Sequence, residues 1–218
     1  MEIKRYLCSL LLALLLPAAA GSGCAGDESP RFDPDSAFAY LERQCDIGPR
    51  YPGSRGHREL QRYIVGRLEA YGADVSLQPF EAVLTTGDTL SLINIIGNYN
   101  KESGRRILLG AHYDTRPRAD RDPEPENRDR PIPGANDGAS GVAVLLELAR
   151  LMKESSPPVG VDLVFFDGED AGIPDSLTSY CLGSAEFARR LRSECRPNEA
   201  DTVVVRRVGR LCAIGPGG

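Results

Sequence analysis

Tryptophan is absent from this chain, and aromatic residues make up only 6% of its 218 positions. Such a chain offers few flat side chains on which nucleic-acid bases would stack. Acidic residues outnumber basic ones, giving a formal net charge of −5. Proteins that bind nucleic acids usually carry a basic surface, so nucleic acid is excluded as the expected partner. The length and the 41% hydrophobic content are typical of one globular domain.

Histidine is also scarce, with only His57 and His112 in the whole chain. A catalytic zinc site usually includes at least one imidazole, so this scarcity limits the ligands available. His57 falls in the first turn of a predicted helix, and we expect it to face solvent. His112 directly follows a short apolar segment and is therefore the histidine to consider for metal chemistry.

The six cysteines include no CxxC pair, which argues against a structural zinc knuckle. One of them, Cys24, ends the sequence GSGC, which resembles a bacterial lipoprotein box with Gly21 in place of the usual leucine. Before it lie Lys4, Arg5 and the apolar run 7–16, which is too short to span a membrane. Residues 1–23 are therefore predicted to be a signal peptide and residues 24–32 a tether.

Two ways of processing this signal peptide remain open. One is lipidation of Cys24, which we favour, and the other is ordinary cleavage near the alanines at 18–20. Both predict an exported protein, as a cell-envelope lipoprotein or in the periplasm or medium. The membrane would be touched only through a lipid on Cys24. Export permits disulfides. With Cys8 removed in the signal and Cys24 lipidated, four cysteines remain and three pairings are open to them. The four are Cys45, Cys181, Cys195 and Cys212.

The rest of the chain predicts alternating helices and strands. Asp33-Pro34 and Ser54 are typical helix starts, and Gly72 is a typical stop for the second helix. Later helices are expected at 142–152 and after a cap at Ser184. Strands are expected near 75–80, 90–96, 107–109 and 161–167. This order predicts an α/β fold with a mixed, mostly parallel central sheet and helices on both faces, spanning residues 33–218.

A long polar loop is predicted between Tyr113 and Gly134, with five prolines and both signs of charge. It is too polar to bury and too rich in proline for a helix. We expect a solvated excursion from the domain. A loop at the carboxyl edge of a sheet also rims a substrate mouth in some enzymes, and this second interpretation stays open.

Carboxylates follow the apolar strand at 161–167, where VDLVFFDG leads into Glu169 and Asp170. Ligands of open α/β sheets bind at the carboxyl ends of the strands, and a glycine turn there aims neighbouring side chains into one crevice. Two adjacent acids repel unless a cation lies between them. We therefore predict a metal site with one carboxylate as ligand and the other as base. A solvated loop is the competing interpretation.

Two further segments place acids at predicted element ends. The His112-x-Asp114 pair follows the strand at 107–109, and this spacing lets the imidazole face a metal while the carboxylate orients the ring. Asp137 precedes the apolar helix, whose dipole favours an ionised carboxylate. All three segments are expected to meet at one edge of the sheet.

Together these segments resemble the M28 family of zinc peptidases, most closely its glutaminyl cyclase branch. The resemblance extends from Phe32 to Cys195. It is carried by YPGSRGHREL, SLINIIG, GAHYDTRP, PGANDGASGVAVLLELAR, DLVFFDGEDAG and DSLTSYCLGSAEFA. It implies a zinc exopeptidase-like fold and peptide or protein N-termini as substrates.

The resemblance also assigns roles. Asp137 matches a zinc ligand, Asp170 matches a second ligand that is usually glutamate, and Glu169 matches the catalytic acid/base. In two-zinc aminopeptidases His112 would bind the second ion and Asp114 would orient it, whereas cyclases generally keep one zinc. The implied reaction is conversion of N-terminal glutamine to pyroglutamate with release of ammonia, or alternatively removal of N-terminal residues. A lipid-anchored binding domain without catalysis is the third possibility.

The chain departs from the family near its end. The family's last ligand is a downstream histidine, but no histidine follows His112, and arginines stand in 202–210 where an acid is expected. We therefore expect a domain that is incomplete at its C-terminal end, as a fragment, a shifted reading frame or a short relative. Little or no activity is expected from the 218-residue chain. Zinc-dependent cyclisation by that chain would contradict this expectation.

Overall fold

The computed structural model describes residues 30–173 and 176–194. These contain four α-helices and four strands, in an order close to that predicted. The helices are α1 (Pro34–Ile47), α2 (Arg55–Ala70), α3 (Ser140–Glu154) and α4 (Leu182–Glu194), and the strands are β1 (Asp74–Val83), β2 (Thr89–Tyr99), β3 (Arg106–His112) and β4 (Gly160–Phe166). None of the helices described is long and apolar enough to cross a membrane.

Local sequence signals set three of the helix ends described. The Asp33 carboxylate caps α1 by accepting the Asp35 N–H at 3.1 Å, and Ser54 Oγ caps α2 by accepting the His57 N–H at 3.0 Å. Gly72 follows α2 with a φ of +78°, a conformation that glycine adopts without strain. The predicted cap at Ser184 was wrong. That residue lies inside α4, where its hydroxyl donates to the Cys181 carbonyl.

The sheet has the strand order β1-β2-β4-β3. It is mixed, as predicted, but the pairs β1–β2 and β2–β4 are antiparallel and only β3–β4 is parallel among the strands described. The parallel share is thus smaller there than expected. The long β1–β2 hairpin accounts for the difference, because a short turn joins antiparallel neighbours whereas parallel strands need a crossover.

Helices cover both faces of the sheet, as predicted. The larger core packs α1, α2 and α3 against one face, and α2 contributes Leu60, Ile64 and Leu68 to it. On the other face, Phe187 of α4 packs against Val164 and Phe166 of β4. Since β4 is buried on both sides, its carboxyl end is fixed between two layers.

The expectation that His57 faces solvent was wrong, because only 2% of its surface is exposed. His57 lies three positions before Leu60, on the same helical stripe as Ile64 and Leu68. Its Nε2 atom lies 2.8 Å from an Asp167 carboxylate oxygen, which satisfies the buried ring. Its spacing from these residues was by itself enough to indicate the buried face of the helix.

The remaining predictions have mixed outcomes. Most of the loop after Tyr113 is exposed or half-buried, which fits a solvated excursion. Among the described residues, Cys45 has a free thiol. The signal segment, Cys24, Cys195, Cys212 and the arginines of 202–210 lie outside the described residues, so what was expected of them stays a prediction.

Candidate active site

The parallel pair β3–β4 brings the predicted residues to one edge of the sheet. His112, the last residue of β3, is in register with Phe166, the last residue of β4. The segments that follow, His112–Asp114 and Asp167–Asp170, therefore leave the sheet side by side. This is the carboxyl edge at which ligands of α/β sheets bind.

Asp114 organises the turn after β4. It is fully buried, and its two carboxylate oxygens accept the backbone N–H groups of Glu169 and Asp170, each at 3.0 Å. Gly168 enters this turn with a φ of +65°, in the left-handed region that favours glycine. The two adjacent acids are thus presented by a turn whose amides are fixed. Sequence reasoning placed Asp114 beside the imidazole but missed this clamp.

His112 lies among three carboxylates. Its Nε2 atom is 2.9 Å from Asp137 Oδ1, while Nδ1 is 3.5 Å from Asp114 Oδ1 and 3.8 Å from Glu169 Oε2. Burial disfavours the charged ring, but the surrounding carboxylates of Asp114, Asp137 and Glu169 outweigh it and raise the pKa of His112 to about 10. The ring is therefore a cation at neutral pH in the metal-free protein.

Asp137 stands on a turn rather than in the first turn of α3. The turn Ala135–Ala139 precedes α3, and Asp137 itself is extended, with φ −100° and ψ 112°. Arg50 Nη2 donates to the Gly134 carbonyl and Gln44 Nε2 donates to the Ala139 carbonyl, so both ends of the turn are anchored. The Asp137 side chain is 65% exposed and can therefore be reached from solvent.

Asp170 contacts residues that the sequence analysis did not single out. Its Oδ1 atom lies 3.5 Å from Arg116 Nη1. Arg116 is also paired with Asp120 and stacks over the Tyr180 ring, with 5.6 Å between the guanidinium carbon and the ring centroid. Arg116 and Asp120 line a cavity of about 380 Å³ with Gly172. The one sequence signal for Arg116 and Asp120 was the interpretation of the proline-rich loop as the rim of a substrate mouth.

These side chains partly fit a zinc ion. Burial, together with repulsion from the charges of Asp114, Glu169 and Asp137, raises the pKa of Asp170 to about 7. A bound cation would relieve this repulsion. Carboxylate oxygens and imidazole nitrogen are zinc donors. However, no three His, Cys, Asp or Glu side chains converge with metal-binding geometry within residues 30–173 and 176–194. The ligand roles of Asp137, Asp170 and His112, and the orienting role of Asp114, stay predictions.

The repulsion predicts a pH dependence for the metal-free protein. Because the folded pKa of Asp170 is raised from 3.8 to about 7, its favourable contribution is complete below pH 4 and is lost as pH rises through 7. The unfolding free energy should therefore fall between pH 4 and pH 8, and we expect Asp170→Asn to make this fall smaller by about 2–4 kcal/mol. Denaturant unfolding in EDTA at pH 4 and pH 8 measures it. An exposed control, Asp129→Asn, should keep the wild-type pH dependence, and equal behaviour of both variants would contradict the prediction.

The chain is similar to proteins of a known family. Residues 94–205 match the family model "Peptidase family M28". Bovine glutaminyl-peptide cyclotransferase is 31% identical over 169 residues, which cover 71% of this chain and 45% of the bovine protein. The chain thus spans about half the length of the curated relatives it matches.

Solved structures agree with the sequence comparison. The glutaminyl cyclase of Bacteroides thetaiotaomicron, solved with N-acetylhistamine, superposes with a TM-score of 0.74 and 42% identity, covering 81% of this chain and 62% of that one. A Zn-dependent exopeptidase from Parabacteroides distasonis gives 0.72 and 38%, covering 79% and 59%. This chain belongs to peptidase family M28.

Proposed function

We propose that the site binds one zinc ion and converts the N-terminal glutamine of peptides to pyroglutamate with release of ammonia. The observation that carries the proposal is the Asp114 clamp. It holds Glu169 and Asp170 beside each other at the strand ends, so one carboxylate is available as a ligand and its neighbour as a proton carrier. The Bacteroides thetaiotaomicron relative named as a glutaminyl cyclase is 42% identical to this chain over the matched region.

Asp137 and Asp170 are the proposed zinc ligands, with a third ligand from outside the described residues. When bound, zinc supplies Lewis-acid polarisation of the substrate's γ-amide carbonyl. Asp137 is suited to this role because its carboxylate is largely exposed and its turn is anchored at both ends. Arg116 lies near Asp170 and would hold that side chain in place through their 3.5 Å contact.

Glu169 is the proposed proton carrier. Its side chain is 14% exposed, so it is reachable from the crevice while being largely shielded from water. The α-amine nitrogen of the substrate attacks the γ-amide carbon, forming the ring bond. Glu169 accepts a proton from that nitrogen and delivers it to the amide nitrogen, whose bond to carbon then breaks. The products are a pyroglutamyl peptide and ammonia.

His112 lies among carboxylates in the proposed site. Its Nε2 atom is 2.9 Å from Asp137 Oδ1, and its Nδ1 atom is 3.5 Å from Asp114 Oδ1. The proposed role of His112 is to balance the charge of the acidic cluster.

An aminopeptidase reaction is the second candidate, favoured by the zinc-dependent exopeptidase among the structural relatives. In that reaction Glu169 would take a proton from a water molecule that attacks the first peptide bond. The same ligands serve both reactions, so the site residues described do not separate them. The products do, because a cyclase releases ammonia and a peptidase releases a free amino acid.

The test uses a chimera in which residues 30–194 of this chain are followed by the part of the Bacteroides thetaiotaomicron cyclase that lies beyond the matched region. This design supplies a downstream histidine, because the 218 residues of this chain include none after His112. Incubated with Gln-Ala and Leu-Ala, the chimera should release ammonia from the first and no free leucine from the second. EDTA should stop the reaction and zinc should restore it. Free leucine without ammonia would establish the peptidase instead.

A further inference from the structure

A second buried network lies directly behind the candidate site. Asp167 Oδ1 is 2.8 Å from His57 Nε2, and Asp167 Oδ2 accepts the Tyr113 hydroxyl at 2.7 Å and the Ile93 N–H at 2.8 Å. Asp167, His57 and Tyr113 are all at most 2% exposed. The rings of His57 and Tyr113 also stack, with centroids 5.4 Å apart. The proposed reaction uses none of these groups.

The network and the site share the same two segments of chain. Tyr113 lies between His112 and Asp114, and neighbouring residues of extended chain point to opposite sides. His112 and Asp114 accordingly contact the acidic cluster, while Tyr113 contacts Asp167. Asp167 itself lies two residues before Glu169. One buried carboxylate therefore joins α2, β2 and the segment after β3 to the start of the turn that carries Glu169.

The backbone of this turn is tied at the same point. The Asp167 N–H donates to Asn94 Oδ1 at 3.0 Å, and the Asp167 carbonyl accepts the Gly183 N–H at 2.9 Å. Beyond it, the amides of Glu169 and Asp170 reach Asp114 only if the turn leaves β4 in the correct direction. The contacts with Asn94 and Gly183 hold the backbone of Asp167, from which the turn carrying Glu169 and Asp170 begins.

We infer that Asp167 is a positioning residue, which uses His57, Tyr113 and the β2 backbone to fix the turn that presents Glu169 and Asp170. Its effect on catalysis rests on the proposed function, whereas its effect on the turn does not. If the network only stabilised the core, its loss would lower the stability of the whole domain. If it positions the turn, its loss should loosen this turn more than the rest of the domain.

Backbone hydrogen exchange of the 218-residue chain separates the two roles. We expect Asp167→Ala and His57→Ala to accelerate exchange of the Glu169 and Asp170 amides about tenfold or more beyond any change in α3. The reason is that the first variant removes the acceptor of His57 Nε2 and of the Ile93 N–H and leaves the Tyr113 hydroxyl only the Ile93 carbonyl, while the second leaves the buried carboxylate without one donor. His57→Gln keeps a donor near the Nε2 position and should restore protection. Asp167→Asn should also remain near wild type, since its oxygen still accepts from Tyr113 and Ile93.

Leu60→Ala is the control, because it truncates a fully buried α2 residue whose apolar side chain makes no hydrogen bond to Asp167. It should lower protection throughout the core without singling out the turn. If the two turn amides lose no more protection in Asp167→Ala and His57→Ala than in Leu60→Ala, or if His57→Gln fails to restore them, the inference is overturned. The measurement needs no zinc and no turnover, so absence of cyclase activity in the chimera would contradict the proposed function alone.

Discussion

Ammonia release by the chimera is expected to fall about 10²–10⁴-fold when Glu169 is replaced by glutamine, because general acid–base catalysis contributes that much. Glutamine has the same length but does not accept a proton from the α-amine at neutral pH. Since the Glu169 backbone N–H still donates to Asp114, the turn should keep its shape. We expect an unchanged melting temperature and an unchanged zinc content, so that kcat falls with little change in KM.

The matched control is Glu126→Gln, which changes an exposed residue of the proline-rich loop and should leave the rate unaltered. Ammonia release is followed by a coupled assay at saturating zinc. A Glu169→Gln variant that retained the wild-type rate would show that another group moves the proton. A chimera that released neither ammonia nor amino acids would favour a binding domain without catalysis.

Zinc binding should collapse when Asp137 is replaced by asparagine. Changes to residues that merely orient a metal ligand cost about 10–100-fold in affinity, so loss of a ligand charge should cost about 100-fold or more. Stability should change little, because the Asp137 side chain is 65% exposed and asparagine keeps an oxygen that accepts from His112 Nε2. Competition titration of the chimera with a chromophoric zinc chelator measures the affinity.

Asp129→Asn provides the comparison, since it removes one negative charge from an exposed position in the neighbouring loop. If the effect of Asp137→Asn were only a general loss of negative charge, both variants would weaken binding by similar small amounts. An Asp137→Asn variant with wild-type affinity would exclude this residue as a ligand.

Much of the fold follows from short-range patterns in the sequence. The buried strand β4, the amphipathic stripe of α2 and the caps at Asp33 and Ser54 are all visible in the residues themselves, because hydrophobic spacing and capping act over a few positions. The meeting of His112 and Asp114 with Glu169 followed from placing two strand ends at one sheet edge. The structure brings these residues within contact distance.

Long-range polar contacts were the part that spacing did not reveal. The Asp114 clamp on the turn spans 55 residues, and the pair His57–Asp167 spans 110. Neither leaves a periodic signal, since a single hydrogen bond constrains two residues and not a run. The prediction for His57 was wrong because a place in the first turn of a helix was taken to mean exposure, although the spacing of His57 from Leu60 already indicated the buried face. The direction of β2 was likewise set by the hairpin and not by its apolar composition.

Anomalous diffraction at the zinc edge, from crystals of the chimera grown with zinc, would locate the metal relative to the acidic cluster. We expect one peak per molecule, about 2.0–2.2 Å from carboxylate oxygens of Asp137 and Asp170, with Glu169 beside the metal but unbound and His112 off the metal. No peak at these residues, or a second peak bound by His112, would contradict the proposed one-zinc site.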